Sequence, residues 1–197
     1  MGELIPILGI LAGAIGVADT LPYIRDTLRG STRPHRGTWL IWAVLAIVVS
    51  FSLEAEGATW SLIMPVVQAV LTTLIFLLAI RHGVGGLRPI ELSMMAIAGV
   101  GVIGWMIAAE PLIATACVVI ADILGAAMMV PKTWRDPDSE TLSTFALASV
   151  AGALGAGAVG ALDPALLLYP VYYSVVNGAI ALLIVHRRRA HRRLAWA

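Results

Sequence analysis

Seven apolar runs divide the chain, and each is close to the length that crosses a lipid bilayer. A helix needs about 20 apolar residues to span the hydrocarbon core, with a range of about 17–25. Backbone polar groups in lipid need internal partners, so we expect the runs to be helices. A barrel would require alternating apolar and polar residues, and these runs do not alternate. The seven runs are residues 5–24, 38–53, 60–80, 90–109, 112–130, 142–162 and 165–185.

The composition supports a membrane protein. Hydrophobic residues make up 59% of the chain and charged residues only 13%, and the mean hydropathy is +0.91. Soluble domains carry about 25% charged residues. We therefore predict an all-α integral membrane protein with seven transmembrane helices, in which Cys117, the single cysteine, makes no intrachain disulfide.

The charges are segregated between alternate connections. Glu54, Glu56, Glu110 and Asp163 lie between runs at one set of connections, where no Lys or Arg occurs. Because cytoplasmic loops are rich in Lys and Arg, we predict a multi-pass protein of the plasma membrane with its N-terminus outside and its C-terminus in the cytoplasm. The Lys and Arg residues fall in four segments: Arg25, Arg29, Arg33 and Arg36; Arg81 and Arg88; Lys132 and Arg135; and Arg187, Arg188, Arg189, Arg192 and Arg193.

Two stretches about a hundred residues apart, 18–39 and 121–145, look alike. Each contains Ala-Asp, then a proline, an Arg-Asp pair and a turn with Ser or Thr that leads to an aromatic residue. The prolines are Pro22 and Pro131. The similarity suggests that a three-helix unit has been duplicated.

The third and seventh runs extend the repeat. Pro65 is followed by Gln68 and Thr72, and Pro170 is followed at the same spacing by Tyr173 and Asn177; positions i, i+3 and i+7 share a helix face. We predict a 3+1+3 arrangement of parallel repeats about an axis along the membrane normal. Its parts are a first repeat at 1–83, a linker helix at 84–110, a second repeat at 111–189 and a basic cytoplasmic tail at 190–197.

These features resemble the SWEET and PQ-loop transporter superfamily. The likeness covers nearly the whole chain in topology, and it is strongest in the residues from Pro131 to Phe145, Pro-Lys-Thr-Trp-Arg-Asp-Pro-Asp-Ser-Glu-Thr-Leu-Ser-Thr-Phe. The resemblance implies facilitated transport of sugar-like solutes or proton-coupled transport of amino acids. It also implies that Asn177 contacts the substrate.

Polar residues within the apolar runs are the candidate site. A charged Asp at the bilayer centre costs about 2.5–3.5 kcal/mol on insertion scales, so Asp122 must face a cavity, pair with a partner or stay protonated. We expect the substrate to be bound by Gln68, Thr72, Asp122, Tyr173 and Asn177. Linking helices by hydrogen bonds is the alternative role for these side chains.

Hinges and a cytoplasmic gate are predicted near the two Ala-Asp stretches. Pro22 and Pro131 each remove a backbone hydrogen bond and are expected to kink or end a helix. Asp19 and Arg25 are predicted to form a gate of paired charges. The alternative for Asp19 is an interfacial acid whose partner is Arg25 or Tyr23.

Transport of a small polar solute, with protons as a candidate coupling ion, is the favoured function. A non-transporting receptor or assembly module is the alternative. A retinal photoreceptor is disfavoured, because the seventh run has no lysine for a Schiff base. Nucleotide, triad and zinc motifs are missing from the sequence, so we expect no enzyme, cofactor, metal or nucleic acid partner. The Arg-rich tail is a candidate site for anionic lipid, and the sequence leaves a homo-oligomer open.

Overall fold

The computed structural model describes residues 4–55, 63–108 and 111–195, and the fold in these residues is all-helical without strands. Within the described residues, most of each predicted apolar run is helical, although α7 ends at Ala158, before the end of the run at residue 162. Residues 60–62 and 109 of the third and fourth runs lie outside the described residues. The helices are α1 Leu4–Ala18, α2 Thr20–Leu28, α3 Arg36–Ala55, α4 Ile63–His82, α5 Pro89–Ile107, α6 Pro111–Arg135, α7 Leu142–Ala158 and α8 Pro164–Ala195, with a short 3₁₀ helix at Pro137–Ser139.

Four helical segments of the described chain are long and apolar enough to cross a membrane: Leu4–Leu28, Pro89–Ile107, Thr115–Arg135 and Leu166–Arg193. The outward surface is also apolar. Ile10, Val100, Val175 and Leu182 are each between 65% and 72% exposed. Because soluble proteins rarely expose large continuous apolar patches, the length and the surface of these helices both fit a membrane protein.

The first apolar run forms two helices rather than one. Asp19 separates α1 from α2, although its own dihedral angles are helical at φ −64° and ψ −32°. Pro22 has no N–H, so the carbonyl of Ala18 lacks the partner that it would have in a continuous helix. The predicted effect of Pro22 is therefore located one turn before the proline itself.

Pro131 does not end its helix, because α6 continues to Arg135 with Pro131 in its interior. Of the two predicted effects, a kink or an end, the end is excluded. After the proline, the N–H of Asp136 donates to the carbonyl of Lys132 at 2.8 Å, and the side-chain hydroxyl of Thr133 donates to the carbonyl of Met129 at 3.0 Å. The predicted run that ends at residue 130 was therefore too short.

The last helix is also longer than predicted. The apolar run ends at residue 185, but α8 continues to Ala195 through most of the Arg-rich tail. Arginine has a high helix propensity, and the unbroken helix needs no apolar face once it leaves lipid. The Arg187 guanidinium lies 4.4 Å from the centre of the Trp134 ring, so the extension packs against the end of α6.

We divide the helices in chain order into two groups, α1 to α4 and α6 to α8. In the first, α4 contacts both α1 and α3; in the second, α8 contacts both α6 and α7. The groups meet where α1 packs on α7 and α3 packs on α6, and α5 lies against α6 and α3. At Gly152 of α7, an added Cβ would lie 2.6 Å from the backbone nitrogen of Ser174, so α7 and α8 approach closely there.

The connections that carry Lys and Arg meet at one end of the bundle, which we call the basic end. Here the turn after α2 binds the turn after α6. The hydroxyls of Thr32 and Thr141 are hydrogen-bonded at 2.6 Å, and the N–H of Arg33 donates to the carbonyl of Ser139 at 2.9 Å. Arg33 also pairs with Asp136 at 2.7 Å. The two stretches that look alike in sequence are therefore in direct contact.

Candidate functional site: a central cavity

A cavity of about 600 Å³ lies between the two groups of helices. Its lining on α1 and α2 extends from Gly9 to Thr20, a rise of about 16 Å along a helix. Pockets for small molecules usually measure about 300–1,000 Å³. All five residues predicted to bind substrate contribute to the lining: Gln68, Thr72, Asp122, Tyr173 and Asn177. The structure thus brings them together, whereas their role in binding stays a prediction.

Thr72 and Asn177 make equivalent hydrogen bonds. Thr72 Oγ1 donates to the carbonyl of Gln68, four residues earlier, at 2.9 Å. The amide of Asn177 donates to the carbonyl of Tyr173, also four residues earlier, at 2.8 Å. These are the residue pairs that coincide when Pro65 and Pro170 are aligned. The side chains of Thr72 and Asn177 therefore each donate to a backbone carbonyl of their own helix at the wall of the cavity.

Asp122 is bound to a tyrosine that sequence reasoning did not select as a site residue. The hydroxyl of Tyr172 donates to Asp122 Oδ2 at 2.7 Å, which joins α8 to α6. Asp122 is only 7% exposed and lines the cavity. Asp122 therefore both faces a cavity and has a hydrogen-bond partner, two of the arrangements expected for it.

Asp19 is less well satisfied. Its Oδ1 accepts a hydrogen bond from the hydroxyl of Thr20 at 2.9 Å, but no donor among the described residues reaches its buried Oδ2. Neither predicted partner is bonded to it: Arg25 pairs with Asp26 at 2.9 Å, and the hydroxyl of Tyr23 donates elsewhere. Asp19 faces the cavity at the break between α1 and α2, and Arg25 lies outside the lining.

Aromatic and small side chains form most of the remaining wall. Small residues of α1 and α7 contribute, among them Gly13 and Gly155. A stripe of small residues looks the same in sequence whether a helix or an empty space lies against it. The aromatic residues of the lining are Trp39, Trp42, Trp105, Phe145, Tyr169 and Tyr173.

Packed side chains close the cavity toward the basic end. The core there consists of Tyr23, Trp39, Ile75, Ala126, Met129, Phe145, Ile180 and Ile184. Below Trp39, a chain of hydrogen bonds leads outward: its indole N–H donates to Tyr23 at 3.0 Å, and Tyr23 donates to Glu140 Oε2 at 3.0 Å. We call this core and the Glu140 cluster below it the basic-end seal.

Glu140 is the centre of the polar part of the seal. It forms an ion pair with Lys132, and its carbonyl accepts a hydrogen bond from Arg188 at 2.7 Å. Burial raises the pKa of Glu140, while the nearby Lys132 ammonium acts in the opposite direction. Lys132 also donates to the carbonyl of Arg33, so one ammonium joins both turns of the basic end.

No family model, curated protein or solved structure matches this chain. The resemblance to the SWEET and PQ-loop superfamily therefore stays a prediction from the sequence. The cavity and its chemistry carry the functional argument.

Proposed function

We propose that this chain is a multi-pass plasma-membrane transporter that moves a small polar solute by alternating access. The observation that carries the proposal is the central cavity, where polar side chains from α4, α6 and α8 converge beside a sealed end. Substrate sites of transporters with internal repeats lie near the bilayer midplane between the repeats. The location of this cavity between the two groups of helices supports the proposal.

Three features support a 3+1+3 repeat with seven membrane crossings. In the first group α4 contacts both α1 and α3, and in the second group α8 contacts both α6 and α7. The last helix of each repeat would thus lie between the other two. Thr32 and Thr141 each lie ten residues after the proline of their repeat and bond to each other. Two equivalent residues in direct contact are expected on a two-fold pseudo-symmetry axis, and the matched bonds of Thr72 and Asn177 agree with it.

In this proposal the structure corresponds to an outward-open state. The positive-inside rule assigns the basic end to the cytoplasm, and the basic-end seal lies between that end and the cavity. Access from the cytoplasm requires the two turns to separate. That movement breaks the bond between Thr32 and Thr141 and the contacts that Lys132 makes with both turns.

Proton coupling is part of the proposal, because carboxyls in the cavity are able to carry protons between its two open states. Asp122 lines the cavity with one oxygen bonded to Tyr172. An Asp122→Asn protein should keep the cavity but lose any dependence of flux on a proton gradient. Unchanged pH dependence in that variant would exclude Asp122 as the coupling group and leave the transport proposal standing.

Counterflow in proteoliposomes tests transport directly. Proteoliposomes that contain the purified protein are loaded with one unlabelled compound from a panel of sugars, amino acids and amines. Uptake of the same compound in labelled form is then followed. A Thr32→Cys and Thr141→Cys pair in a Cys117→Ala background should form a disulfide, because the two hydroxyls touch. Oxidation should stop flux and reduction should restore it, whereas the Thr32→Cys single variant should be insensitive.

Two results would contradict the proposal. Flux that continues with the disulfide closed would mean that the basic end need not open. Binding of solutes without any counterflow would favour the receptor or assembly module instead.

A further inference from the structure

The charge of the cavity lining has one sign. The groups of formal charge among its described residues are two carboxyls, Asp19 and Asp122, and no Lys, Arg or His lies among them. Burying a carboxylate is costly unless it is paired with an opposite charge and hydrogen-bonded. Asp122 has its hydrogen bond from Tyr172, whereas neither acid has a cationic side chain beside it in the lining.

Two acceptors of the lining are buried without a donor among the described residues, Oδ2 of Asp19 and Oε1 of Gln68. Only the first belongs to an acidic group, and the side chain of Asp19 is only 3% exposed. A ligand ammonium would supply both the missing donor and the missing opposite charge to Asp19.

Aromatic rings surround the same space. Trp39 and Trp42 pack edge to face with centroids 5.1 Å apart, and Tyr169 and Tyr173 stack at 5.9 Å. All four line the cavity. Aromatic faces attract organic cations, because the face of the ring is electrostatically negative.

We propose that the solute is a small organic cation, a protonated amine with an apolar body and no carboxylate, and that its ammonium binds Asp19. The apolar part lies against the aromatic rings. An amino acid is disfavoured because its carboxylate would enter a lining of two acids without a cationic partner. That the amine is transported rests on the proposed function, whereas binding of the amine to the cavity is tested separately.

Three probes that differ in one group each separate these possibilities. Phenethylamine carries the ammonium alone, phenylalanine adds a carboxylate, and 2-phenylethanol replaces the ammonium with a neutral hydroxyl. We expect phenethylamine to raise the melting temperature of the purified protein in a concentration-dependent way, since a bound ligand stabilises the folded state. Phenylalanine and 2-phenylethanol should require at least about tenfold higher concentrations for the same shift, a difference of about 1.4 kcal/mol.

Variants locate the ammonium. Asp19→Asn should abolish most of the shift with phenethylamine, whereas Asp138→Asn, the same change at an exposed acid outside the lining, should keep it. If Asp19→Asn does not fold, the three probes on the wild-type protein still decide the charge requirement. Equal shifts with phenylethanol, or a larger shift with phenylalanine, would overturn the inference.

The outcomes also separate this inference from transport itself. No shift with phenethylamine, together with counterflow of a sugar or amino acid, would refute the cation site and keep the transporter. A shift with phenethylamine but no counterflow of any compound would keep the cation site and refute the transporter.

Discussion

Tyr172 and Asp122 provide a residue-scale test of how the cavity wall is held together. Their bond joins α6 to α8 at 2.7 Å inside the bundle. Hydrogen bonds between helices in membranes average about 0.6 kcal/mol and reach about 1.7 kcal/mol. A double-mutant cycle with Tyr172→Phe and Asp122→Ala, measured by unfolding in detergent, should give a coupling energy in that range.

The same cycle with Tyr173→Phe in place of Tyr172→Phe is the matched control. Tyr173 is the adjacent residue and also lines the cavity, but the bond to Asp122 comes from Tyr172. We expect coupling near zero for the control pair. Equal coupling in the two cycles would mean that the wall does not depend on this hydrogen bond.

Glu140 should be the most sensitive carboxyl of the basic end. It is 1% exposed and accepts a bond from Tyr23 while pairing with Lys132. Removing one partner of a buried ion pair costs about 3–5 kcal/mol, because the other charge is left uncompensated. Glu140→Ala should therefore lower the free energy of unfolding by about that amount.

Asp138 gives the control for Glu140. It lies two residues earlier and pairs with Arg188 at 3.0 Å, but its side chain is 72% exposed. Exposed pairs contribute at most about 1 kcal/mol, so Asp138→Ala should be nearly neutral in the same unfolding experiment. A loss as large as that of Glu140→Ala would show that burial does not set the difference.

At this scale, the sequence predicted which side chains belong to the cavity better than it predicted their partners. A polar residue such as Asp122 inside an apolar run is informative because its cost in lipid is high. The bond from Tyr172 was not predictable, since it depends on α6 being the neighbour of that face of α8. The vacancy at Asp19 was hidden for the same reason: Arg25 is close in sequence but pairs with Asp26.

Gly152 tests the packing of one helix against another. A Cβ at this position would lie 2.6 Å from the nitrogen and 2.9 Å from the Cα of Ser174, both of which belong to the backbone of α8. Backbone atoms do not move aside as a flexible side chain does. We expect Gly152→Ala to lower stability by about 1–3 kcal/mol through overpacking, measured by thermal unfolding in detergent.

Gly155 lies three residues further along α7 and has room for the same methyl group. The nearest atom to its added Cβ is Pro170 Cβ at 3.7 Å, an ordinary contact. Gly155→Ala should therefore be neutral or gain up to about 1 kcal/mol of helix propensity. If both variants lose stability alike, the close approach of α7 to α8 is not the cause.

Helix existence was predictable at the element scale, because runs of apolar residues this long have few other solutions in lipid. Helix ends were less predictable. Pro22 does interrupt its helix, whereas α6 passes through Pro131, so a proline alone does not fix where a helix ends. α8 continues to Ala195, and Arg187 within it packs on Trp134, a contact between distant parts of the sequence that an apolar run does not reveal.

Orientation is a property of the whole molecule, and its prediction depends on the Lys and Arg residues, which lie at one end. Leu162, in the turn after α7, is 96% exposed, and Asp138 at the basic end is 72% exposed on its side chain. α7 has 17 residues, a rise of about 25 Å, which is slightly below the hydrocarbon thickness of about 30 Å. Whether α7 separates two aqueous compartments is therefore the critical point for the proposed seven crossings.

Labelling of single cysteines decides it. In a Cys117→Ala background, Leu162→Cys should react with a membrane-impermeant maleimide in intact cells, and Asp138→Cys should react only after the cells are permeabilised. The positive-inside rule gives this direction, and Cys117→Ala alone is the unlabelled control. The reverse pattern would invert the molecule and turn the outward-open cavity into a cytoplasmic one. Labelling of both positions in intact cells would mean that α7 does not cross the membrane. The proposed two-fold relation between the two repeats would then be lost.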